Sequence, residues 1–278
     1  MVNFDYMFGA IDIGGTKTLL AAFSKNEKLL KNIRFETPKN YVDFIKELKE
    51  QSSNIEIDKL LVMSVAMPGV VNKIKGVGVA FGNLPWENVP IQKDIEAIFK
   101  CPVLIENDAK LAGLSEAIAL KKKYRKVLYI TVSTGIGGGL IIDDKIDQDF
   151  DNMEVGHMLF EHDGKLQRWE KFASGSAIVK RFGKPAKDIT DQKDWYIIAH
   201  NIALGLIDLI ATLTPDVIII GGGVGSHFEK FSDRLNEDLK IYQNDLLNIP
   251  PILKASNAEQ AVIYGGYYLG KSSYESNH

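Results

Sequence analysis

The chain has 278 residues, of which 45% are hydrophobic and 25% are charged, and its formal net charge at pH 7 is −3. This composition is that of a soluble globular protein with one large domain or two lobes, and it excludes a disordered chain. The acidic balance argues against a nucleic-acid partner bound through neutralised phosphates, and the single cysteine excludes internal disulfide bonds and a cysteine-based metal cluster.

The sequence carries no signal for a membrane location. No apolar stretch approaches the length that spans a bilayer, and the first residues lack the basic and then apolar pattern of a signal peptide. We therefore expect a cytoplasmic protein with no membrane partner.

The first half of the chain alternates predicted strands and helices. Residues 7–36 are predicted to form three short strands, and apolar residues at i, i+3, i+4 and i+7 predict an amphipathic helix between Asn40 and Ser52. After these come a strand at Leu60–Ala66, a loop-rich stretch that reaches Pro90, a helix near Ile91–Lys100, a strand at Val103–Glu106 and a helix from about Ala109 to Lys122.

The second half repeats the opening order of a hairpin followed by α/β segments, which predicts a duplicated α/β fold. We expect residues 1–112 to form the first lobe and residues 113–278 the second. The sequence leaves open whether the last helix, residues 258–278, crosses back onto the first lobe. The predicted elements are strands at Val127–Val132 and Gly138–Ile142, helices at about Trp169–Arg181 and Lys193–Leu213, a strand at Val217–Ile220, a helix near Phe228–Leu239, a strand near Ile252–Lys254 and a helix from about Ala258.

Two turns without bulky side chains join apolar runs, more than a hundred residues apart. Glycines allow backbone N–H groups to approach phosphate oxygens, so the pair of turns suggests that one nucleotide is bound from two sides. In the first turn Asp12 can hold Mg²⁺ directly or through water, and Thr16 and Lys17 can supply further donors. The alternative for that turn is an ordinary Gly-Gly hairpin with a solvated aspartate. The turns read Asp12-Ile13-Gly14-Gly15-Thr16-Lys17 and Ser133-Thr134-Gly135-Ile136-Gly137-Gly138-Gly139.

A third glycine cluster, Gly221-Gly222-Gly223-Val224-Gly225, follows an apolar strand and precedes a helix. Its flat surface can receive a nucleoside base or a ribose. The alternative is a flexible strand-to-helix turn with no ligand.

One segment carries a candidate general base. Glu106-Asn107-Asp108 ends a predicted strand and begins a helix, at the position where α/β sheets bind ligands. Asp108 can accept the proton of a substrate hydroxyl that attacks phosphorus, and Asn107 can orient that hydroxyl. The alternative is a plain helix N-cap.

A polar cluster in residues 154–170 suits a sugar, because carboxylates and an imidazole can pair with vicinal hydroxyls in fixed directions. Its members are Glu154, His157 and Glu170, whereas His162 is expected to be structural. Metal binding by His157 is the rival interpretation, but that residue has no cysteine partners nearby in the sequence.

Taken in this order, these residues resemble the ROK family (repressors, open reading frames and sugar kinases) of the actin-like ATPase superfamily, over nearly the whole chain. Asp12–Lys17 and Thr134–Gly139 resemble its two phosphate motifs, and Glu106-Asn107-Asp108-Ala109 matches the segment that bears its catalytic aspartate. Further matches are Met67-Pro68-Gly69 and Asn83-Leu84-Pro85-Trp86 with its sugar-site loops, Glu154-Val155-Gly156-His157 with its Glu-x-Gly-His signature, and Glu170 to Gly175 with the stretch after its zinc loop.

The resemblance implies a duplicated actin-like, ribonuclease H-like two-lobe ATPase fold with a cleft between the lobes. It implies ATP-dependent phosphorylation of a hexose, at the 6-hydroxyl of glucose or a close relative, with Mg²⁺ as cofactor and Asp108 as the base. Family members are often dimers, so a homodimer is one option for the oligomeric state. Sugar binding is assigned to Gly69, Asn83, Asn107, Glu154, His157 and Glu170. Nucleotide binding is assigned to Asp12, Gly14, Gly15, Thr16, Lys17, Thr134, Gly135, Gly222 and Gly223.

The chain departs from the family pattern in two places. Met158–Trp169 replaces the usual cysteine-rich zinc loop and contains no cysteine, so we expect no zinc and predict that packing by Phe160, Leu166 and Trp169 orders this segment. Only Met1–Tyr6 precede the first strand, where family repressors carry a helix-turn-helix, so no DNA-reading element is expected there. An N-acetylhexosamine or fructose kinase and a non-catalytic sugar sensor remain alternatives, and the sugar and the phosphate donor stay open.

Overall fold

The computed structural model describes residues 6–256 and 260–277. These residues divide into two compact units, one made of residues 6–115 with 260–277 and the other of residues 116–256. The expected starting segment Met1–Tyr6, apart from Tyr6, and the predicted helix start at Ala258 lie outside the described residues.

The first unit contains, in chain order, β1 (Met7–Ile13), β2 (Lys17–Ser24), β3 (Leu29–Glu36), α1 (Tyr41–Ser52), β4 (Leu60–Met67), β5 (Val70–Asn72), β6 (Val77–Phe81), β7 (Leu84–Val89), α2 (Ile91–Phe99), β8 (Val103–Asn107) and the start of α3 (Asp108–Ala119). Five of the strands form a mixed sheet in the order β3-β2-β1-β4-β8. β1, β4 and β8 are parallel, so their carboxyl ends meet at one edge of the sheet.

The predicted amphipathic helix forms as α1. The Asn40 side chain caps it by accepting hydrogen bonds from the backbone N–H groups of Val42 and Asp43, while Phe44 and Leu48 are buried against the sheet. The spacing of apolar residues and the cap residue, both readable from the sequence, therefore place this helix within a residue of its observed ends.

The prediction of a loop-rich stretch before Pro90 is wrong. β5, β6 and β7 form a three-stranded antiparallel sheet there. Phe81 and the alternating Leu84 and Trp86 are buried, with exposed Pro85 between the last two. The glycines and prolines masked this alternation, although Gly78 serves the sheet: a Cβ at Gly78 would lie 2.4 Å from the Phe81 ring.

The second unit contains, in chain order, β9 (Lys126–Val132), β10 (Ile136–Ile142), β11 (Lys145–Ile146), β12 (Leu159–His162), β13 (Lys165–Arg168), α4 (Glu170–Ala173), α5 (Gly175–Phe182), α6 (Gln192–Leu213), β14 (Val217–Gly221), α7 (Gly222–Gly225), α8 (Ser232–Lys240) and β15 (Ile252–Lys254). Its main sheet has the order β11-β10-β9-β14-β15, and β9, β14 and β15 are parallel. The antiparallel hairpin β9-β10 beside a parallel strand repeats the pattern of β1, β2 and β4 in the first unit.

α6 corrects the expectation that no segment could span a bilayer, because its length and apolar composition are sufficient. More than half of its most apolar stretch is buried, and Ile198, Ile202, Leu206 and Leu209 pack into the core of the second unit. Gly205 permits this packing: a Cβ there would lie 2.1 Å from the indole of Trp169. A central core helix accounts for the composition of α6.

The segment that replaces a zinc loop folds as the β12-β13 hairpin. Phe160 packs against the core and Trp169 is fully buried, with its indole N–H donating to the Asn201 carbonyl over 2.9 Å. The prediction for Leu166 is wrong, because 71% of that residue is exposed on the outer face of the hairpin. His162 is structural, as expected: its ring stacks on Phe172, 4.1 Å away.

The C-terminal helix α9 (Ala261–Ser276) belongs to the first unit, where it packs against β1 and β4. Small residues let it come close, since a Cβ at Gly265 would lie 1.9 Å from the Leu111 carbonyl oxygen of α3. Tyr267 is fully buried on this face and packs edge-on against Phe8 of β1.

Candidate active site

The first glycine turn is a tight, well-tied hairpin between β1 and β2. The Gly14 N–H donates to the Lys17 carbonyl over 3.0 Å, and a Cβ at Gly14 would lie only 2.7 Å from that oxygen. Thr37 holds the turn from the side, with its hydroxyl donating to the Gly14 carbonyl and its N–H to the Thr16 carbonyl. Thr16 and Lys17 are exposed, so their donors face solvent at the tip.

Two aspartates predicted from separate motifs lie at the carboxyl ends of β1 and β8, which are separated in the sheet by β4. Asp12 is near the end of β1, paired in register with Ala66 of β4, which in turn pairs with Glu106 of β8, two residues before Asp108. Burial, and after it the negative charge of Asp108, raises the pKa of Asp12 to about 7. The register thus places both carboxylates at the same edge of the first sheet.

The N-cap interpretation of this segment applies to Asn107, and the Asp108 carboxylate also accepts the Ala109 N–H. The Asn107 side-chain oxygen accepts hydrogen bonds from the N–H groups of Ala109 and Lys110 at the start of α3, and its side-chain nitrogen donates to the Gly69 carbonyl over 3.2 Å. Asn107 thus joins the helix start to the predicted sugar-site loop. Asp108 follows as the first residue of α3 and is half-buried.

Asn83 lies against the first glycine turn. A Cβ added to Gly15 would lie 2.6 Å from the Asn83 Cβ, so only glycine fits beside that loop. In the first unit the structure therefore brings Gly15 into contact with Asn83 and joins Asn107 to Gly69 by a hydrogen bond, and Asp108 follows Asn107 in the chain.

A buried ion-pair network supports this edge of the sheet and was not predicted. Glu106 is 2% exposed; its carboxylate lies 2.5 Å from the Lys73 ammonium and 3.7 Å from that of Lys110, and it also accepts the Asn107 N–H. A glutamate inside a strand with otherwise buried residues was the available signal, since a buried carboxylate requires a cationic or hydrogen-bonding partner.

In the second unit, the second glycine turn is tied to the start of α5. The Gly175 N–H donates to the Ser133 carbonyl over 2.6 Å, and the Ser176 N–H lies 3.4 Å from the Thr134 carbonyl. Thr134 is exposed at this turn. Gly135 contacts Glu170 of α4, because a Cβ on Gly135 would lie 3.1 Å from a Glu170 carboxylate oxygen.

A cavity of about 390 Å³ adjoins this turn within the second unit. Gly223 lines it, and a Cβ added to Gly223 would meet no atom within 4 Å. Gly222 differs, because its φ is +82° and its Cβ would lie 2.5 Å from the Val132 carbonyl oxygen. The cavity therefore joins the second and third glycine clusters. Its lining residues are Ser133, Thr134, Gly175, Ser176, Val179, Pro185, Ala186, Lys187, Gly223 and Val224.

Of the three polar residues assigned to sugar hydroxyls, Glu154 and His157 belong to a short helical turn before β12, and Glu170 begins α4 after β13. Glu154 and His157 are exposed on either side of buried Gly156, and Glu170 is half-buried. The His157 imidazole lies 3.5 Å from the Arg168 guanidinium, and Glu170 lies 3.4 Å from the Lys171 ammonium. Neither cation was singled out from the sequence.

Comparison with known proteins adds two relatives at 30% identity. One is an N-acetyl-D-glucosamine kinase from Mannheimia succiniciproducens, matched over 95% of this chain and 99% of the relative. The other is a putative fructokinase from Bacillus subtilis, matched over 81% of this chain and 80% of the relative.

A solved structure shows the same fold. A ROK family glucokinase from Streptomyces griseus, in complex with glucose and AMPPNP, superposes with a TM-score of 0.78 at 21% identity, covering 96% of this chain and 99% of that chain. The predicted duplicated actin-like α/β fold is thereby confirmed. The ROK family model matches residues 8–273, and this chain belongs to the ROK family.

Proposed function

We propose that this chain is an ATP-dependent sugar kinase that phosphorylates a hexose, at the 6-hydroxyl of glucose or a close relative. The observation that carries the proposal is the edge of the first sheet, where Asp108 begins a helix beside Asn107 and the strand register places Asp12, the aspartate of the first glycine turn, at the same edge. The relatives named as sugar kinases support the same class of reaction.

In this proposal Asp108 accepts the proton of the attacking hydroxyl, because a half-buried carboxylate can take a proton as the oxygen–phosphorus bond forms. Asn107 keeps one side-chain N–H beyond the one it donates to Gly69, and that N–H is available to the sugar. Gly69 and Asn83 supply the loops of the acceptor site, and Glu154, His157 and Glu170 bind further hydroxyls.

The nucleotide is assigned to the glycine clusters. Gly14 and Gly15 present backbone donors with Thr16 and Lys17 exposed at the tip, and Thr134 and Gly135 form the second turn. The cavity lined by Gly223, the residue after Gly222, has mainly small and apolar lining residues, which suits a nucleoside. The complex of the Streptomyces griseus glucokinase with AMPPNP supports ATP as the donor.

Mg²⁺ fits the first turn. The Asp12 carboxylate has neither a hydrogen bond nor an ion pair with any described residue, and burial and Asp108 disfavour its charge. A hard cation with phosphate and water oxygens as its remaining ligands would offset that charge. When bound, Mg²⁺ would neutralise charge on the phosphates. No cluster of three or more acidic, histidine or cysteine side chains suited to a metal is present in residues 6–256 and 260–277.

The test is an ADP-release assay with glucose, mannose, fructose and N-acetylglucosamine, run with the wild type and Asp108→Ala. We expect ADP only when a sugar is present, and a loss of about 10²–10⁴-fold in kcat for Asp108→Ala. Glucose binding by calorimetry should persist in that variant. The matched control is Asp58→Asn, which changes an exposed aspartate of the same unit and should retain full activity.

The outcomes separate the alternatives. If no sugar gives ADP but glucose or another sugar binds, the protein is a sugar sensor and the kinase proposal is wrong. If Asp108→Ala turns over at the wild-type rate, Asp108 is not the base. A preference for fructose or N-acetylglucosamine would change the proposed substrate to the sugar in a relative's name, without changing the proposed mechanism. Because ATP is a cytoplasmic metabolite, the proposed activity places the protein in the cytoplasm.

A further inference from the structure

Lys39 links two loops that the sequence assigned to different ligands. Its ammonium donates to the carbonyl of Gly15, in the first phosphate turn, over 2.7 Å. The same nitrogen lies 3.5 Å from the carbonyl of Asn83, in the sugar-site loop. No motif in the sequence singled out this lysine.

The backbone around Lys39 is tied to its neighbours, which sets the point from which the side chain extends. The indole N–H of buried Trp86 donates to the Lys39 carbonyl over 2.9 Å. Asn40, the next residue, is the N-cap of α1. On the other side, the buried Thr37 hydroxyl bonds both Gly14 and Thr18. The segment from Thr37 to Asn40 is therefore anchored at each step, and only the lysine side chain spans the gap between the loops.

The two loops also touch without the lysine, since Gly15 lies against Asn83. Steric contact sets only a minimum distance between them. The ammonium adds an attraction, because one cation with three donors can serve two carbonyl oxygens at once. A side chain of similar length without charge would keep the packing and lose this attraction.

We infer that Lys39 is a positioning residue for phosphoryl transfer: it holds the phosphate turn and the sugar-site loop at a fixed separation. This inference rests on the proposed function. In-line transfer depends on the distance between the acceptor oxygen and the phosphorus, and a displacement of about 1 Å can cost about 10²-fold in rate. Lys39 is exposed, so water screens part of its effect. We expect a loss of about tenfold in kcat when the ammonium is removed.

The experiment compares Lys39→Met with Lys31→Met. Both changes remove an exposed lysine of the first unit and keep a similar side-chain length, and the Lys31 ammonium has no hydrogen bond or ion pair within residues 6–256 and 260–277. The first measurement is amide hydrogen exchange without ligands. The second is the steady-state kinetics with the best sugar of the panel and ATP.

For Lys39→Met we expect faster exchange in peptides that cover residues 14–17 and residues 82–86, with an unchanged melting temperature. We also expect kcat to fall about tenfold, while the KM values for sugar and ATP change less than threefold. Lys31→Met should match the wild type in both measurements.

Exchange that is unchanged in both peptides would overturn the inference, whatever the kinetics. Faster exchange with a wild-type kcat would also overturn it, because the link would then have no role in positioning. A wild type that phosphorylates no sugar would refute the proposed function alone. In that case faster exchange in both peptides would support the link between the loops, and unchanged exchange would still exclude it.

Discussion

The Asp12→Asn variant should be more stable than the wild type while it loses kinase activity. Asparagine has the shape of aspartate but cannot ionise, so it removes a charge that the folded first unit disfavours. Burial is the larger cause of the raised pKa of Asp12, and the negative charge of Asp108 is the smaller cause. Activity falls because the proposed Mg²⁺ contact requires a carboxylate oxygen.

The pKa shift gives both the sign and the size of the effect. The ordinary pKa is 3.8 and the value in the folded protein is about 7, so the folded state holds its proton more tightly than the unfolded state. Wild-type stability therefore falls as the pH rises from 3.8 to about 7 and is constant above that. Each pKa unit corresponds to about 1.4 kcal/mol, so the free energy of unfolding that the wild type loses over this pH range is at most about 4 kcal/mol. Because Asp12 is only half-buried, we expect Asp12→Asn to raise the free energy of unfolding by about 1–3 kcal/mol at pH 8.

The assay is urea unfolding of the metal-free protein in EDTA at pH 4.5 and pH 8, with Asp58→Asn as the control for an exposed aspartate of the same unit. Asp12→Asn should gain stability at pH 8 and gain little at pH 4.5, and its melting temperature at pH 8 should rise by about 2–4 °C per kcal/mol. Equal stability of Asp12→Asn and wild type at pH 8 would refute the reasoning. A gain of the same size at both pH values would refute it as well.

Two further predictions use positions where the structure contrasts close neighbours. Gly222→Ala should weaken AMPPNP binding, measured by calorimetry, more than tenfold. Alanine is strained at φ of +82°, and its Cβ would lie 2.5 Å from the Val132 carbonyl oxygen. Gly223→Ala has open space around the new Cβ and should bind AMPPNP normally. Ser64→Ala should raise the free energy of unfolding by about 1 kcal/mol, since the buried Ser64 hydroxyl has no hydrogen-bond partner among the described residues; a lower stability in urea would contradict this.

The elements that could be predicted are those with one dominant pattern. α1 follows from apolar spacing and its Asn40 cap, and β14 follows from a run of apolar residues before glycine. The sheet at residues 70–89 was missed because glycine and proline interrupt the alternation that Leu84 and Trp86 keep. Gly69 and Gly78 lie where the Ala80 backbone and the Phe81 ring come too close for a side chain, which only tertiary packing reveals.

Site residues could be predicted where chemistry alone restricts the residue type. Glycine turns and acidic strand ends are such cases, so the sequence singles out Asp12, Asp108 and Thr134 as candidates. Lys39 and Glu106 were not, because each acts through contacts with residues distant in sequence: Lys39 reaches Asn83, and Glu106 reaches Lys73. A lysine before a helix and a glutamate in a strand are ordinary in a sequence.

Two carboxylates at the same edge of the first sheet differ in whether a cation neutralises them, and this difference bears on function. Glu106 is buried and compensated by Lys73 and Lys110, so its charge holds the sheet edge and the start of α3 together. Asp12 has no such cation in the described structure, although burial and Asp108 raise its pKa. A protein that needed only stability would gain by pairing or neutralising Asp12. The chain instead keeps an aspartate beside the first glycine turn, and the bound cation proposed above would favour its charged form.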